Sequence, residues 1–549
     1  MQIDSIIVKN FKKFQSQEFS FNDKLNIIVG DNDSGKSTIL ECIELVVNGY
    51  YRGKSISSQL SPELFNSSAT ARYLASDKHC DDLPEIKIEA FMSGCAKYRG
   101  TNNSKTVDTD GISIRICFDT DLTDTYKEFM ANGDAINTIP TEFYTVEWLD
   151  FAWNRVKYLN REAKSLLIDP TRLHPTYGKN QYISNIISST LNKQEQALLS
   201  LNYRELKTSF NNQPQVKEIN QQLDSDNKVT EQSLDIVADI AQNKTLESGL
   251  QLAVDDITFP LIGKGEQNKI QIKLALANKS KNINFIMVEE PENHLSHINL
   301  CKLIHAISEQ ATTQLFLTTH SSYVLNKLSL QNLCLLAEKY KQLKYIDSKV
   351  AKRLQRLPGY DTLRVVLSKK VILVEGPSDE LILKKIYLNS HNRLPEEDGI
   401  DIIVVRGIGF KNYLEIAKHI GTKVHVVKDN DGDFDKNITK YGEKFDEFNN
   451  FMFSAEDDDL NSLEPAMIQE NSRTEEKLNK YAKVALSKVT YNKYLEKDAL
   501  DKKVEYLRKW YASDGKNHGS KKVDSAIRIF DSNVAIKYPT YLVKALNFD

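Results

Sequence analysis

Residues 27–40, IIVGDNDSGKSTIL, decide how the first half of this chain folds. An apolar run that reads as a buried strand feeds straight into Gly30-Asp31-Asn32-Asp33-Ser34-Gly35-Lys36-Ser37, a complete P-loop. Gly30 and Gly35 let the backbone turn so that its N–H groups, that of Asn32 included, point at phosphate oxygens. Lys36 is then placed to reach the β- and γ-phosphates, and the Ser37 hydroxyl to ligate Mg²⁺. Thr38 opens a helix whose N-terminal dipole favours the same anion. The loop therefore predicts ATP with Mg²⁺ as a ligand.

Working outward, 549 residues are too many for one core, so about two or three domains are expected. Hydrophobic residues at 40% and charged residues at 27% give an ordinary globular balance without low-complexity tracts. The net charge of -3 means that any nucleic-acid contact must come from local basic faces. No stretch approaches the ~18 apolar residues of a membrane span, and the start MQIDSIIVKN lacks the apolar core of a signal peptide. A cytoplasmic protein without membrane contact is expected. Cys42, Cys80, Cys95, Cys117, Cys301 and Cys334 show no CxxC spacing, which predicts reduced thiols instead of disulfides or structural zinc.

Residues 3–21 alternate as two strands before the P-loop strand. Their Asn10-Phe11-Lys12-Lys13-Phe14 resembles the opening of SMC, RecF and Rad50 type ATPase heads, a branch of the ABC superfamily. Strand-like runs at 85–93, 111–118 and 142–153 suggest the antiparallel sheet edge of such heads, and 165–169 is another short apolar run. Within 176–250 the chain becomes rich in Gln, Asn, Lys and Glu, with Leu or Ile at helical spacing, and reads as a helical insertion serving as a dimerisation arm. Gly263, Gly265 and Gln267 in FPLIGKGEQ resemble the ABC signature loop, which in that family covers the nucleotide held by a second copy; the usual serine before the glycine pair is missing. FIMVEEPE at 285–292 reads as a central strand ending in Glu289, placed to hold the Mg²⁺ water shell where most P-loop proteins carry Asp. Glu290 is the candidate base that orients the attacking water. The strand at 315–319 delivers His320, resembling the switch histidine at the γ-phosphate.

After a charged, basic linker at 341–367, a second centre opens. VILVEGPSDELIL ends a strand in Glu375-Gly376 and turns into a helix carrying Asp379 and Glu380; a second strand leads to Arg406-Gly407-Ile408-Gly409; a third ends in Lys428-Asp429-Asn430-Asp431-Gly432-Asp433. This order resembles the Toprim domain, the metal-binding module of topoisomerases, primases and certain nucleases. In a doubly wound parallel sheet the strand ends meet near the switch point, so Glu375, Asp429 and Asp431 would converge there. Carboxylates packed together resist ionisation unless a cation neutralises them, and an all-oxygen set selects Mg²⁺ or Mn²⁺. Asp379 and Asp433 are further candidate ligands, and Glu464 in Asn461-Ser462-Leu463-Glu464 is a carboxylate for a second cation. A pair of cations would activate water and stabilise the leaving oxygen of a phosphodiester. Among Lys509, Lys516, Lys521 and Lys522, Lys522 is the first choice to offset transition-state charge, with Lys521 next.

An ABC-type head (1–175 and 251–340) carrying a helical insertion (176–250), joined through 341–367 to a Toprim α/β domain with a basic helical extension (368–549), resembles the OLD (overcoming lysogenization defect) nuclease family. That family includes the nuclease subunit of the Gabija system and retron-associated effectors. The resemblance implies an α/β protein acting as a metal-dependent DNA endonuclease or nickase in antiphage defence. It also implies a dimer or tetramer built through the ATPase layer, with a helicase or a retron reverse transcriptase and its msDNA as partner. The alternative is a RecF or SMC type ATP-dependent DNA clamp without nuclease activity, for which the Toprim carboxylates have no use. A topoisomerase would need a tyrosine-bearing cleavage domain and a primase usually a zinc module, neither of which is recognisable.

Overall fold

The computed structural model describes residues 1–52, 54–131, 137–157, 161–169, 193–225, 236, 253–267, 269–270, 283–293, 295–309, 313–337, 340–356, 361–405, 409–445, 451–513 and 518–548. Residues 176–192, 226–235 and 237–250 of the expected insertion, the signature helix beyond Ile270, His294, the turn Arg406-Gly407-Ile408, and Lys516 lie outside them. The chain forms two compact units, Met1–His320 with Asn332–Tyr340, and Ser321–Gln331 with Lys341–Asp549.

In the first unit, β1 (Gln2–Phe11) and β2 (Phe14–Ser20) form an antiparallel hairpin closed by the Phe11↔Phe14 pair. The tight turn holds Lys12 at φ 48°, a left-handed conformation. The sheet grows through β4 (Ile86–Ser93) and β5 (Thr109–Phe118) in the order β2-β1-β4-β5, with β6 (Tyr144–Asp150) also along β5. In a second sheet β7 (Ser165–Ile168), β8 (Phe285–Glu289), β9 (Gln314–Thr318), β3 (Leu25–Gly30) and β10 (Leu333–Leu336) run parallel to one another in the order β7-β8-β9-β3-β10. Its strands are continuous apolar runs, as strands covered on both faces must be.

Helix α1 (Lys36–Asn48) is buried almost all round. Its Ile39, Leu40, Ile43, Val46 and Val47 join one core with Ile6, Val8, Ile88 and Ile114 of the antiparallel sheet and with Met287 and Phe316 of the parallel one. A single buried side chain also pins the two sheets together. The Gln314 carboxamide accepts from Ile3 N at 2.8 Å and donates to Ile3 O and Asn22 O at 2.9 Å each.

Part of the expected insertion is described as two helices, α2 (Lys193–Asn211) and α3 (Pro214–Ser225). Leu198, Leu201, Leu206 and Phe210 lie exposed along α2. All six cysteines are free thiols. No helix among the described residues is long and apolar enough to cross a membrane.

The second unit is built on a parallel sheet of β11 (Lys370–Val374), β12 (Ile400–Val404), β13 (Lys423–Val427) and the short β14 (Met452–Phe453), ordered β12-β11-β13-β14. The chain leaves β11 to one side for β12 and returns to the other side for β13, which makes the carboxyl ends of β11 and β13 the switch point. Residues 341–367, read from the sequence as a linker with helical character, carry α6 (Ser348–Arg356) and α7 (Thr362–Leu367) and are grouped with this unit. Residues 321–331, expected in the ATPase head, also belong here. The reason is burial: α5 (Ser322–Lys327) packs on α6 and α7, with Val324, Leu325, Val350, Leu354 and Val366 buried and the Thr362 hydroxyl hydrogen-bonded to the buried Asn326 side chain. Arg364 then donates to Asp401 and to Ile402 O, fastening α7 to β12.

Gln314→Leu removes the three hydrogen bonds of the sheet pin, and an orphaned buried polar group costs about 1–3 kcal/mol. We expect the unfolding free energy to fall by about 2–3 kcal/mol in a denaturant titration; an unchanged midpoint would contradict the pin.

Candidate active site

The P-loop follows β3 directly. Gly35 sits at φ 101° with the Phe14 ring 2.6 Å from where a Cβ would be, and a Cβ on Gly30 would meet Ser34 Oγ at 2.4 Å and Leu336 O at 2.7 Å. Both positions thus demand glycine, and Phe14 of the Asn-Phe-Lys-Lys-Phe motif forms part of the wall against which the loop is moulded. Lys36 Nζ donates to Gly30 O at 3.0 Å and Asp31 O at 2.9 Å, inside the curve of the loop. Its burial lowers its pKa, against the pull of Glu290, Asp31 and Glu289. Asn32 is exposed at the loop and Thr38 is buried in α1.

The parallel register sets the other side of this site. Glu289 lies opposite Thr318, and Thr318 opposite Ile28, so the ends of β8, β9 and β3 stand side by side. Ser37 donates to Glu289 across 252 residues of sequence. Glu290 bends away at φ 42°, its N–H held by Thr318 O and Oγ1 at 3.1 Å each. Its carboxylate accepts from Asn293 Nδ2 at 2.6 Å and lies 3.4 Å from His320 Nε2. Glu292, not singled out in the sequence, supports this arrangement: its Oε1 accepts from Thr319 Oγ1 at 2.8 Å and His320 N at 2.7 Å, and burial raises its pKa. The hydroxyl, the paired acids and the glycine cradle fit a Mg²⁺-nucleotide. In the signature segment, Gly263 precedes a helix that contains Gly265, and Gln267 Nε2 folds back onto Phe259 O at 2.7 Å and Ile262 O at 2.8 Å.

In the second unit Val374 is registered against Val427, so Glu375 and Lys428 leave the sheet side by side. Asp429 N donates to Glu375 Oε1 at 3.3 Å. Lys428, another residue the sequence did not mark as functional, stands 3.7 Å from both Glu375 Oε1 and Asp431 Oδ2. Asp431 adopts φ 50° in a turn braced by the fully buried Asn430, whose Nδ2 donates to Ala455 O and Asp457 O at 2.9 Å each. Asp379 opens the following helix, α8 (Pro377–His391), and its Oδ2 accepts from Gly376 N at 3.1 Å.

Glu464 enters from α10 (Leu463–Asn471), buried, with Lys522 Nζ of α14 (His518–Asp531) 2.7 Å from its Oε2. Desolvation first, and then the fields of the neighbouring acids, push the Asp429 carboxyl up to about 8 and that of Asp379 up to about 7. The Glu375 pKa is also raised, chiefly by desolvation, with Lys428 opposing. Tyr541 lies near the same acids, and its buried phenol has a raised pKa.

Three further residues named from the sequence have local partners. Asp433 Oδ1 accepts from Lys436 N at 3.0 Å and caps the following helical turn. Lys521 Nζ donates to Ser513 Oγ at 3.0 Å and lies over the Trp510 ring, while Lys509 pairs with Glu505. No three acids among the described residues already close into a coordination cage. The donor set nevertheless fits a hard divalent cation, because Asp379 and Asp429 sit in a desolvated corner and the candidate ligands gathered there, Glu375, Asp379, Asp429 and Glu464, are all carboxylates.

Residues 366–431 match the family described as the overcoming lysogenization defect protein-like TOPRIM domain, and residues 1–137 match an AAA ATPase domain. Among characterised relatives, the DNA replication and repair protein RecF of Shewanella piezotolerans is 33% identical over 95 residues, 17% of this chain and 25% of that protein. Endonuclease GajA of Bacillus cereus is 22% identical over 475 residues, 78% of this chain and 75% of that protein. The chain thus spans about a quarter of the RecF length and three quarters of the GajA length. Among solved structures, the C-terminal region of the Burkholderia pseudomallei OLD protein aligns at 16% identity and a TM-score of 0.24, covering 33% of this chain and 95% of that one.

A carboxyl with a raised folded pKa stabilises the fold when protonated, and this contribution is lost as pH rises from the ordinary carboxylate range through the folded pKa. The cation-free chain should therefore lose Tm between about pH 5 and pH 8.5, at ~2–4 °C per kcal/mol for a unit of this size. Mg²⁺ or Mn²⁺ should raise Tm more at about pH 8.5 than at about pH 5.5, and Asp429→Asn should flatten the decline. An equal gain from the cation at both pH values would contradict this reading.

Proposed function

We propose that this chain is a divalent-cation-dependent DNA endonuclease or nickase, working at the acidic corner of the second unit and controlled by ATP at the P-loop of the first. The carrying observation is the convergence of Glu375, Asp379, Asp429 and Glu464 at one sheet switch point, with Lys522 beside them. Similarity to endonuclease GajA over 78% of the chain supports the same reading.

Glu375, Asp429 and Asp431 would hold Mg²⁺ or Mn²⁺, with Asp379 and Glu464 as ligands toward a second ion. When bound, such ions supply Lewis acidity to a phosphoryl oxygen and make water a nucleophile near neutral pH. The chain's own groups do the rest. Lys428 steadies Glu375 and Asp431, so the β11 and β13 loops hold one geometry. Lys522, charged and partly exposed, faces the acids and offsets the negative charge that builds on the phosphorane-like transition state.

At the other centre, Lys36, Ser37 and Glu289 would hold Mg²⁺-ATP, and Glu290, hydrogen-bonded by Asn293 and 3.4 Å from His320, is placed to orient an attacking water. Gly263, Gly265 and Gln267 would cover a nucleotide held by a second copy, making a dimer or tetramer the working form. A cytoplasmic antiphage role, with a helicase or a retron reverse transcriptase and its msDNA as companion, follows from the OLD-family resemblance. The RecF relatives match at most 34% of this chain, against 78% for endonuclease GajA, and a clamp would leave the acidic corner without a use.

Supercoiled plasmid incubated with Mg²⁺ or Mn²⁺ should be nicked or linearised by the wild type. Asp429→Ala should be slower by at least ~100-fold, and Lys522→Ala by about 10²–10³-fold. Equal cutting by wild type and Asp429→Ala, or none by either with every cation, ATP condition and partner supplied, sinks the nuclease reading. Lys36→Ala should remove the response to ATP while leaving the acidic corner intact.

A further inference from the structure

Residues 341–356 carry six Lys or Arg against one acid, Asp347, in a chain whose net charge is -3. Their placement on α6 is ordered. Val350, Ala351 and Leu354 are buried, whereas Lys349, Lys352, Arg353 and Arg356 are exposed. At 3.6 residues per turn the spacing 349, 352, 353, 356 puts all four cations on one face, opposite the buried one. The stripe runs for ~10 Å.

Among the described residues none of the four forms an ion pair, and the acid at the helix start is engaged otherwise: Asp347 Oδ1 accepts from Lys349 N at 2.6 Å. Lys344 and Tyr345, the latter 85% exposed, extend the surface ahead of the helix. Like charges at i, i+3 and i, i+4 oppose helix formation, so this pattern works against the helix that carries it. The helix is held firmly all the same. Gln355 Nε2 donates to Lys327 O at 3.1 Å, α5 packs on α6 and α7, and α7 is fastened by Arg364 to β12 of the sheet that bears the acidic corner.

We infer that the Lys349, Lys352, Arg353 and Arg356 face of α6 is a docking surface for the phosphate backbone of duplex DNA. B-DNA carries one charge per ~3.4 Å of axis on each strand, so a stripe of this length runs past about three phosphates per strand. Unpaired guanidinium and ammonium groups on a rigid element suit contacts that position a duplex without reading its bases. The surface rests on the reading that DNA is the substrate, and gives that reading a face of exposed cations on one helix.

The test uses the full chain carrying Asp429→Ala, so that binding is seen without cleavage, and a fluorescent duplex of about 30 base pairs over a range of salt. Adding Lys349→Ala, Lys352→Ala, Arg353→Ala and Arg356→Ala together should weaken binding at least ~10-fold near ~0.1 M salt. It should also lower the slope of log affinity against log salt by about 2–4, at ~0.9 for each phosphate that the stripe neutralises in the parent chain. A second set with Lys349→Arg and Lys352→Arg should keep both values, which separates charge from folding damage. An unchanged salt slope overturns the surface. So does a set that binds duplex normally but loses phosphatidylserine vesicles. Hydrolysis of the p-nitrophenyl ester of thymidine 5′-phosphate, on the chain without Asp429→Ala, separates the two readings. Hydrolysis retained by the stripe variant but lost by Asp429→Ala, together with the altered slope, supports both. Stripe-dependent binding without any hydrolysis by the wild type leaves the surface standing and removes the nuclease.

Discussion

Concentrating negative charge where water is scarce is the constraint that the second unit is built around. Parallel pairing sets Val374 against Val427, and that register throws Glu375 and Asp429 together at the ends of β11 and β13. Asp379 and Glu464 then arrive from two helices. Asp379 and Asp429 resist ionisation there, because burial and the neighbouring acids raise their pKa. The unit answers with Lys428 on one side and Lys522 on the other, and the oxygen-rich remainder is suited to a cation. Tyr511 and Ser525, hydrogen-bonded at 2.6 Å, tie the helix carrying Lys522 to the helical layer behind it.

The first unit solves a related problem with the opposite sign. Its P-loop gathers N–H groups and Lys36 at the end of β3, and the balancing acids, Glu289 and Glu290, come from the end of β8. In both units the chemistry-bearing groups sit just past the carboxyl ends of parallel strands. There the backbone is free to turn and the strands behind it are rigid.

Much of this was legible in the chain because it is local. The P-loop, the Glu-Glu pair after FIMV, Glu375-Gly376 after VILV and Asp429-x-Asp431 after VHVV each combine an apolar run with a turn. Such combinations define both a strand and its end. Less visible were side chains whose role depends on distant partners. Gln314 looks like any strand-end polar residue until it meets Ile3 and Asn22. Glu292 looks like a solvated acid until it accepts from Thr319 and His320. Asp433, read as a candidate metal ligand from its neighbours, also accepts from the backbone N–H of Lys436, a contact its sequence context does not show. The 341–367 segment looked like a linker because its charges stand out. Its buried face, Val350, Ala351 and Leu354, decides that it belongs to the second unit.

By itself, then, the sequence determined the two α/β sheets, the nucleotide loop and the order of acids along the chain, since strand periodicity and glycine turns are encoded within a few residues of each other. Which of those acids share one desolvated corner was decided only by tertiary structure. So were the contact of Lys522 with Glu464 and the outward turn of four cations on α6. Burial, register and distance between groups hundreds of residues apart exist only once the sheets have closed over their cores.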